Sequence, residues 1–182
     1  MILFYKGDTV ENKEYNEDGK LIKNLRYSYS KKTGARIEYK YHSNGTLASE
    51  YPYEFSGRIS ENGLVSGIAK IYYENGVLQD ESSYKKWYRD GFQRTYYENG
   101  KLESEAFYKN NALDGVRKTY NKNGQLESEE SYKAADTSDR IYNGPSRYYY
   151  QNGKLRLEIL YENNKQISYK SYDEDGILIY EK

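Results

Sequence analysis

The side chains able to do acid–base, nucleophilic or metal chemistry are few and poorly grouped. His42 is the only histidine of the 182 residues and there is no cysteine, so nothing stands beside it to build a cysteine triad or a transition-metal site. It occupies a position where sibling segments carry tyrosine or asparagine, which makes it a solvated strand residue by expectation. The acidic clusters Glu127-Ser128-Glu129-Glu130 and Asp173-Glu174-Asp175 have the ligand type for calcium, but their spacing matches no calcium-loop signature. Carboxylate pairs for general acid–base work have a competing structural use, set out below. The glycines form neither G-x-G-x-x-G nor a Walker loop. The chain is therefore expected to have no catalytic residues, no metal and no cofactor, and not to be an enzyme.

The elements that hold these residues repeat. Gly91 to Asp114 reads as one β-hairpin and the turn to the next: Tyr96-Tyr97-Glu98-Asn99-Gly100 ends a strand in an Asn-Gly turn, Lys101 to Tyr108 is the return strand, and Lys109-Asn110-Asn111 turns the chain again. Aligning on the turn glycine gives copies at Gly19, Gly45, Gly76, Gly100, Gly124, Gly153 and Gly176, spaced 26, 31, 24, 24, 29 and 23 residues apart. Asn or Asp precedes each glycine. Tyrosine stands four residues before (−4) and leucine two after (+2) in every copy, while +5 is glutamate in all but the first, which has Asn24. Position +8 is tyrosine in the six copies long enough to show it (Tyr27, Tyr53, Tyr84, Tyr108, Tyr132, Tyr161). A fixed period of this length means a repeat architecture.

Two hairpin registers are open. A two-residue turn sets −6 against +5 and so pairs Lys70 with Glu81, Arg94 with Glu105, Lys118 with Glu129, Arg147 with Glu158 and Lys170 with Glu181. A three-residue turn ending in a left-handed glycine sets the −4 tyrosine against the +2 leucine, and variable positions −3 and +1 against each other on the wet side. The second is preferred at the tip, with a bulge further along to bring the charges together. The −4 and +8 tyrosine rows are expected to form the packed stripe. Pro52, which lacks a ladder donor, favours an edge or a bulge.

Bulk properties agree with a thin sheet. Only 36% of residues are hydrophobic and 25 residues are tyrosine, too little aliphatic bulk for a thick core. The 28 basic and 28 acidic residues cancel, which removes the electrostatic footprint of a nucleic-acid binder and counts against an acidic membrane surface. No stretch is apolar and long enough for a membrane-spanning helix, and the apolar run after Met1 is too short for a signal peptide. Residues 1–12 read as a lead-in or cap, 13–66 as irregular copies and 67–182 as regular ones, in a single array. The extra length lies between Tyr53 and Gly67 and between Tyr132 and Gly144, in connections opposite the Asn-Gly tips, so both insertions are expected along one edge.

The pattern G-x-x-x-x-Y-Y-x-N-G-K-L-x-x-E-x-x-Y-K-x-x-x-x-D of Gly91–Asp114, with its copies at Gly115–Lys133 and Gly144–Tyr161, resembles the bacterial variant of the MORN repeat, which also occurs in proteins labelled YwqK-family antitoxins. The resemblance implies an all-β fold, an elongated antiparallel meander of β-hairpins, used as a non-catalytic scaffold for protein partners. Two other uses follow from it: an antitoxin neutralising a toxin, and a lipid-headgroup binder or exported host-facing protein. A bacterial source, in the cytoplasm or exported, is implied in the same way. Rigid aromatics at variable or connecting positions are the candidate partner-binding residues: Tyr73, Tyr97 and Tyr150 at position −3, and Phe55, Trp87 and Tyr88 on the connections.

Overall fold

The computed structural model describes residues 10–29, 33–56, 63–135 and 140–182, in two compact units, 1–88 and 89–182. The first contains β1 (Val10–Tyr15), β2 (Leu21–Tyr29), β3 (Thr33–Tyr41), β4 (Leu47–Ser56), β5 (Leu64–Val65), β6 (Gly67–Tyr72) and β7 (Leu78–Lys85). They lie side by side as β1-β2-β3-β4-β6-β7, with β5 added to β4. The second contains β8 (Tyr88–Tyr96), β9 (Leu102–Lys109), β10 (Ala112–Leu113), β11 (Gly115–Tyr120), β12 (Leu126–Lys133), β13 (Ile141–Tyr149), β14 (Leu155–Glu162), β15 (Lys165–Tyr172) and β16 (Leu178–Glu181). Their order is β8-β9-β11-β12-β13-β14-β15-β16, with β10 on β9. The chain is all-β, and among the described residues every strand pair is antiparallel and there is no helix. The lead-in expected over residues 1–12 lies outside the described residues except for its last three, which belong to β1. Much of both insertions lies outside them too.

The tips explain the register. Tyr97 N–H donates to Lys101 O at 2.9 Å and Gly100 N–H to Tyr97 O at 2.8 Å, with Gly100 at φ 79°. This is a three-residue turn closed by a left-handed residue, a conformation glycine adopts without a Cβ penalty. The same two bonds close all seven tips. Tyr96 then faces Leu102, the register shifts by the extra residue Glu103, and Arg94 faces Glu105. The identical slip sets Lys70 opposite Glu81, Lys118 opposite Glu129, Arg147 opposite Glu158 and Lys170 opposite Glu181. Both expected pairings are thus present in one hairpin, separated by the bulge. Pro52 fits the same logic: its carbonyl accepts Ser66 N–H at 3.1 Å, so its missing donor falls at the interruption between β5 and β6.

The packed stripe differs from expectation. The bulge and the strand alternation send the +8 tyrosines to one face and the −4 tyrosines to the other. On the first face lie Ala69, Ser82 and Val65 in unit one, and Ala106, Leu113, Ser128, Tyr132, Ser146 and Ile159 in unit two, all buried. The buried residues Ala69, Ser82, Ala106 and Ser146 are small, and in unit two the rings of Tyr132, Tyr142 and Tyr161 stack with centroids 4.7 and 5.1 Å apart. The second face carries a polar ladder. Tyr120 Oη donates to Glu105 Oε1 at 3.1 Å, and Glu105 pairs with Arg94 at 3.7 Å. Tyr149, Glu129 and Lys118 repeat this at 2.9 and 3.2 Å. The −4 hydroxyls of Tyr72, Tyr120 and Tyr149 therefore each tie one hairpin to the one before, and the glutamates have a structural use.

Candidate functional site

The turns opposite the Asn-Gly tips are two-residue, left-handed at both positions: Asn110 and Asn111 at φ 50° and 71°, Asn163 and Asn164 at 49° and 68°. Asparagine tolerates this region, and its side chain adds a bond. Asn111 Oδ1 accepts Arg89 N–H at 2.6 Å, and Asn164 Oδ1 accepts Tyr142 N–H at 2.7 Å. In the first unit the equivalent pair is Lys86 and Trp87, at φ 52° and 74°. Trp87 N–H still reaches Val65 O at 2.9 Å, as Asn111 N–H reaches Arg89 O. The backbone is kept while the residue suited to it is replaced by one that pays a penalty of roughly 1–2 kcal/mol in this conformation.

Two side chains back this tryptophan in series. Copy two carries Arg36 where later copies have glycine opposite the +8 tyrosine, so Arg36 faces Tyr53 and its guanidinium carbon sits 4.4 Å from that ring's centroid. Tyr53 in turn meets Trp87 edge-on at 5.8 Å. Burial, reinforced by the Glu38 carboxylate, pushes the Tyr53 phenol up, although Arg36 opposes this. The stack ends in solvent: Trp87 is 51% and its neighbour Tyr88 53% exposed.

Phe55 has a different place. It is 7% exposed, faces Gly34 in β3 and lies so close to Gly63 that an added Cβ there would come within 2.5 Å of its ring. It is a core residue rather than part of an outward aromatic group.

The −3 residues stitch neighbouring tips. Tyr97 Oη donates to Tyr120 O and Tyr150 Oη to Tyr172 O, both at 2.8 Å. His42 does likewise: it is half-buried with Nε2 2.9 Å from Tyr72 O, not a fully solvated residue. Tyr73 is half-buried at its own tip. Trp87 and Tyr88 are consecutive exposed residues at one turn, and Tyr73, Tyr97 and Tyr150 each sit at an Asn-Gly tip.

Charged groups on the sheet are engaged with one another. Burial alone would raise the Glu129 carboxyl, but hydrogen bonds from Tyr149 and Lys118 and the positive charge of Lys118 and Arg147 outweigh it and hold it below the usual range. On the other face Glu130 is buried and accepts from Tyr132 at 3.0 Å, Tyr148 at 2.8 Å and Arg117 at 3.3 Å. Such carboxylates are fixed as acceptors, which suits a rigid framework.

Sequence reasoning missed two features. One is the Arg36–Tyr53 support, whose signal is the loss of glycine at −9 in copy two. The other is the exposed pair Phe92 and Phe107, opposite each other at −8 and +7, with centroids 5.1 Å apart. With Val116 and Leu160 at the same two positions, they make a partly exposed apolar row on the ladder face of unit two.

The comparisons with known proteins agree with this geometry. No curated protein matches the chain. The family described as MORN repeat variant matches residues 37–54, 66–86, 89–110, 113–134 and 142–163, together more than half of the chain. Each matched segment takes in one Asn-Gly tip with its +8 tyrosine. The chain therefore belongs to the MORN repeat variant family, generally a typically non-catalytic repeat scaffold that often binds proteins or membranes.

Proposed function

We propose that this chain is a protein-docking scaffold whose anchor is the aromatic edge of the first unit, Trp87 with Tyr88, backed by Tyr53 and Arg36. The observation that supports this most is Trp87 itself: an exposed tryptophan in a left-handed turn where the other such turns carry asparagine. A strained, solvent-facing aromatic adds little to folding, whereas tryptophan, tyrosine and arginine dominate binding hot spots. A pre-ordered stack gives up little rotamer freedom on docking, which favours affinity.

Affinity capture from cells that make the protein, with wild type against Trp87→Ala plus Tyr88→Ala, tests the reading. The expected result is one protein retained by wild type and lost by the variant at equal folded concentration. Retention of the same proteins by both would remove this edge from consideration. A toxin recovered in this way would give the antitoxin form of the proposal. Co-sedimentation with anionic and neutral vesicles tests the competing lipid reading, which the balanced charge of the chain does not favour.

A further inference from the structure

The face of the second unit that carries the +8 tyrosines holds two adjoining cavities of about 470 and 390 Å³, both bordered by Tyr108 and Arg140. The smaller is lined by Arg89, Tyr108, Asn111, Leu113 and Arg140. Its size falls within the range of small-ligand sites. Leu113 and Tyr108 supply an apolar floor, since both pack on the cluster of Ala106 and Tyr132.

The walls carry two arginines, Arg89 and Arg140. The Arg89 guanidinium lies 5.0 Å from the Tyr108 ring centroid, and its side-chain hydrogen bond is a long one to neutral Gln93 Oε1 at 3.4 Å. Among the described residues no carboxylate pairs with Arg89 or Arg140. Two of the nearby described acids are engaged elsewhere. Glu130 is taken up by Arg117, Tyr132 and Tyr148, and Asp114 Oδ1 accepts Ala134 N–H at 3.2 Å. Glu103 and Glu127 line the larger cavity but not the smaller one.

Arginine clusters recognise phosphate through directed, charge-assisted hydrogen bonds. A phosphate monoester carries a charge of roughly −1.5 to −2 at neutral pH, which matches two guanidinium groups better than a single carboxylate does. The apolar floor, in turn, calls for a ring behind the phosphate. We propose that the smaller cavity receives a phosphorylated aromatic side chain of a peptide, with Arg89 and Arg140 on the phosphate oxygens and the ring against Tyr108 and Leu113. The flanking peptide then lies along the larger cavity, over Thr95, Ser104 and Thr119. This site shares no residue with the edge at Trp87, so either reading can fail without the other.

Phenyl phosphate titrated into the isotopically labelled full chain, followed by NMR, is the test. The expected result is saturable shifts of Leu113 and Tyr108 signals, with inorganic phosphate binding at least tenfold more weakly. Arg140→Gln and Arg89→Gln each weaken phenyl phosphate at least fivefold at an unchanged unfolding midpoint. Absence of saturable shifts at Leu113 and Tyr108, or undiminished affinity in both variants, overturns the proposal. Equal affinity for inorganic phosphate overturns the aromatic part of it and leaves a plain anion site.

Discussion

Asn99 and Asn123 both precede a turn glycine, yet the structure gives them unequal work. Asn99 Oδ1 accepts Lys101 N–H at 3.0 Å and its Nδ2 donates to Lys122 O at 3.0 Å, so it closes its own turn and reaches the next tip. In the next copy position −3 is asparagine, and Asn121 Oδ1 takes the equivalent role, accepting Asn123 N–H at 2.9 Å and Gln125 N–H at 3.1 Å. Asn99→Ala is therefore expected to cost about 1–2 kcal/mol by urea unfolding, and Asn123→Ala no more than a few tenths. Equal losses would show that the side-chain bonds at the tips do not discriminate between copies. Gly144 gives a second residue-level expectation. It sits at φ 109° with space for a Cβ only 3.0 Å from Ser131 Cβ, so Gly144→Ala should destabilise by roughly 1–3 kcal/mol in the same measurement.

At the scale of the hairpin, the tip register, the bulge and the charge pairs were legible because each is set locally by the spacing around one glycine. The sorting of tyrosines onto faces was not. A one-residue slip exchanges every side chain between faces, and the sequence does not mark which of Leu102 to Glu105 is the extra residue. The burial of Phe55 depends on Gly34 and Gly63, which the chain brings together from outside its own strand. The ladder face makes a pH prediction. Burial first, then the hydrogen bond to Glu129, pushes the Tyr149 phenol up to about 12. A phenol raised in the folded state contributes stability that is fully present below its unfolded pKa of about 10. That contribution is lost as pH rises through the folded value. The urea midpoint should fall between pH 10 and about 12, less steeply in Tyr149→Phe than in wild type. Glu129 behaves oppositely. Its depressed carboxyl contributes stability present above the ordinary carboxylate range and lost on acidification through the folded value, so Glu129→Gln should flatten the acid limb. Parallel pH profiles for wild type and these variants would show that the ladder bonds are incidental.

At the scale of the whole molecule, two units of the same hairpin element present different surfaces. The first offers the Arg36–Tyr53–Trp87 edge, and the second the arginine-walled cavity and the row around Phe92. Repetition frees such positions from folding duties, because each hairpin is secured by its own turn and by the hydroxyl and amide bonds to the next. The central claim is that Trp87 is kept for binding at some expense to the fold. It is tested most directly by measuring the unfolding midpoint and the affinity for the captured partner together in Trp87→Asn, which restores the residue found in the equivalent turns. The predicted result is a midpoint equal to or above that of wild type, with at least a tenfold loss of affinity. A lower midpoint with affinity unchanged would mean that the tryptophan serves the fold, and would contradict the account.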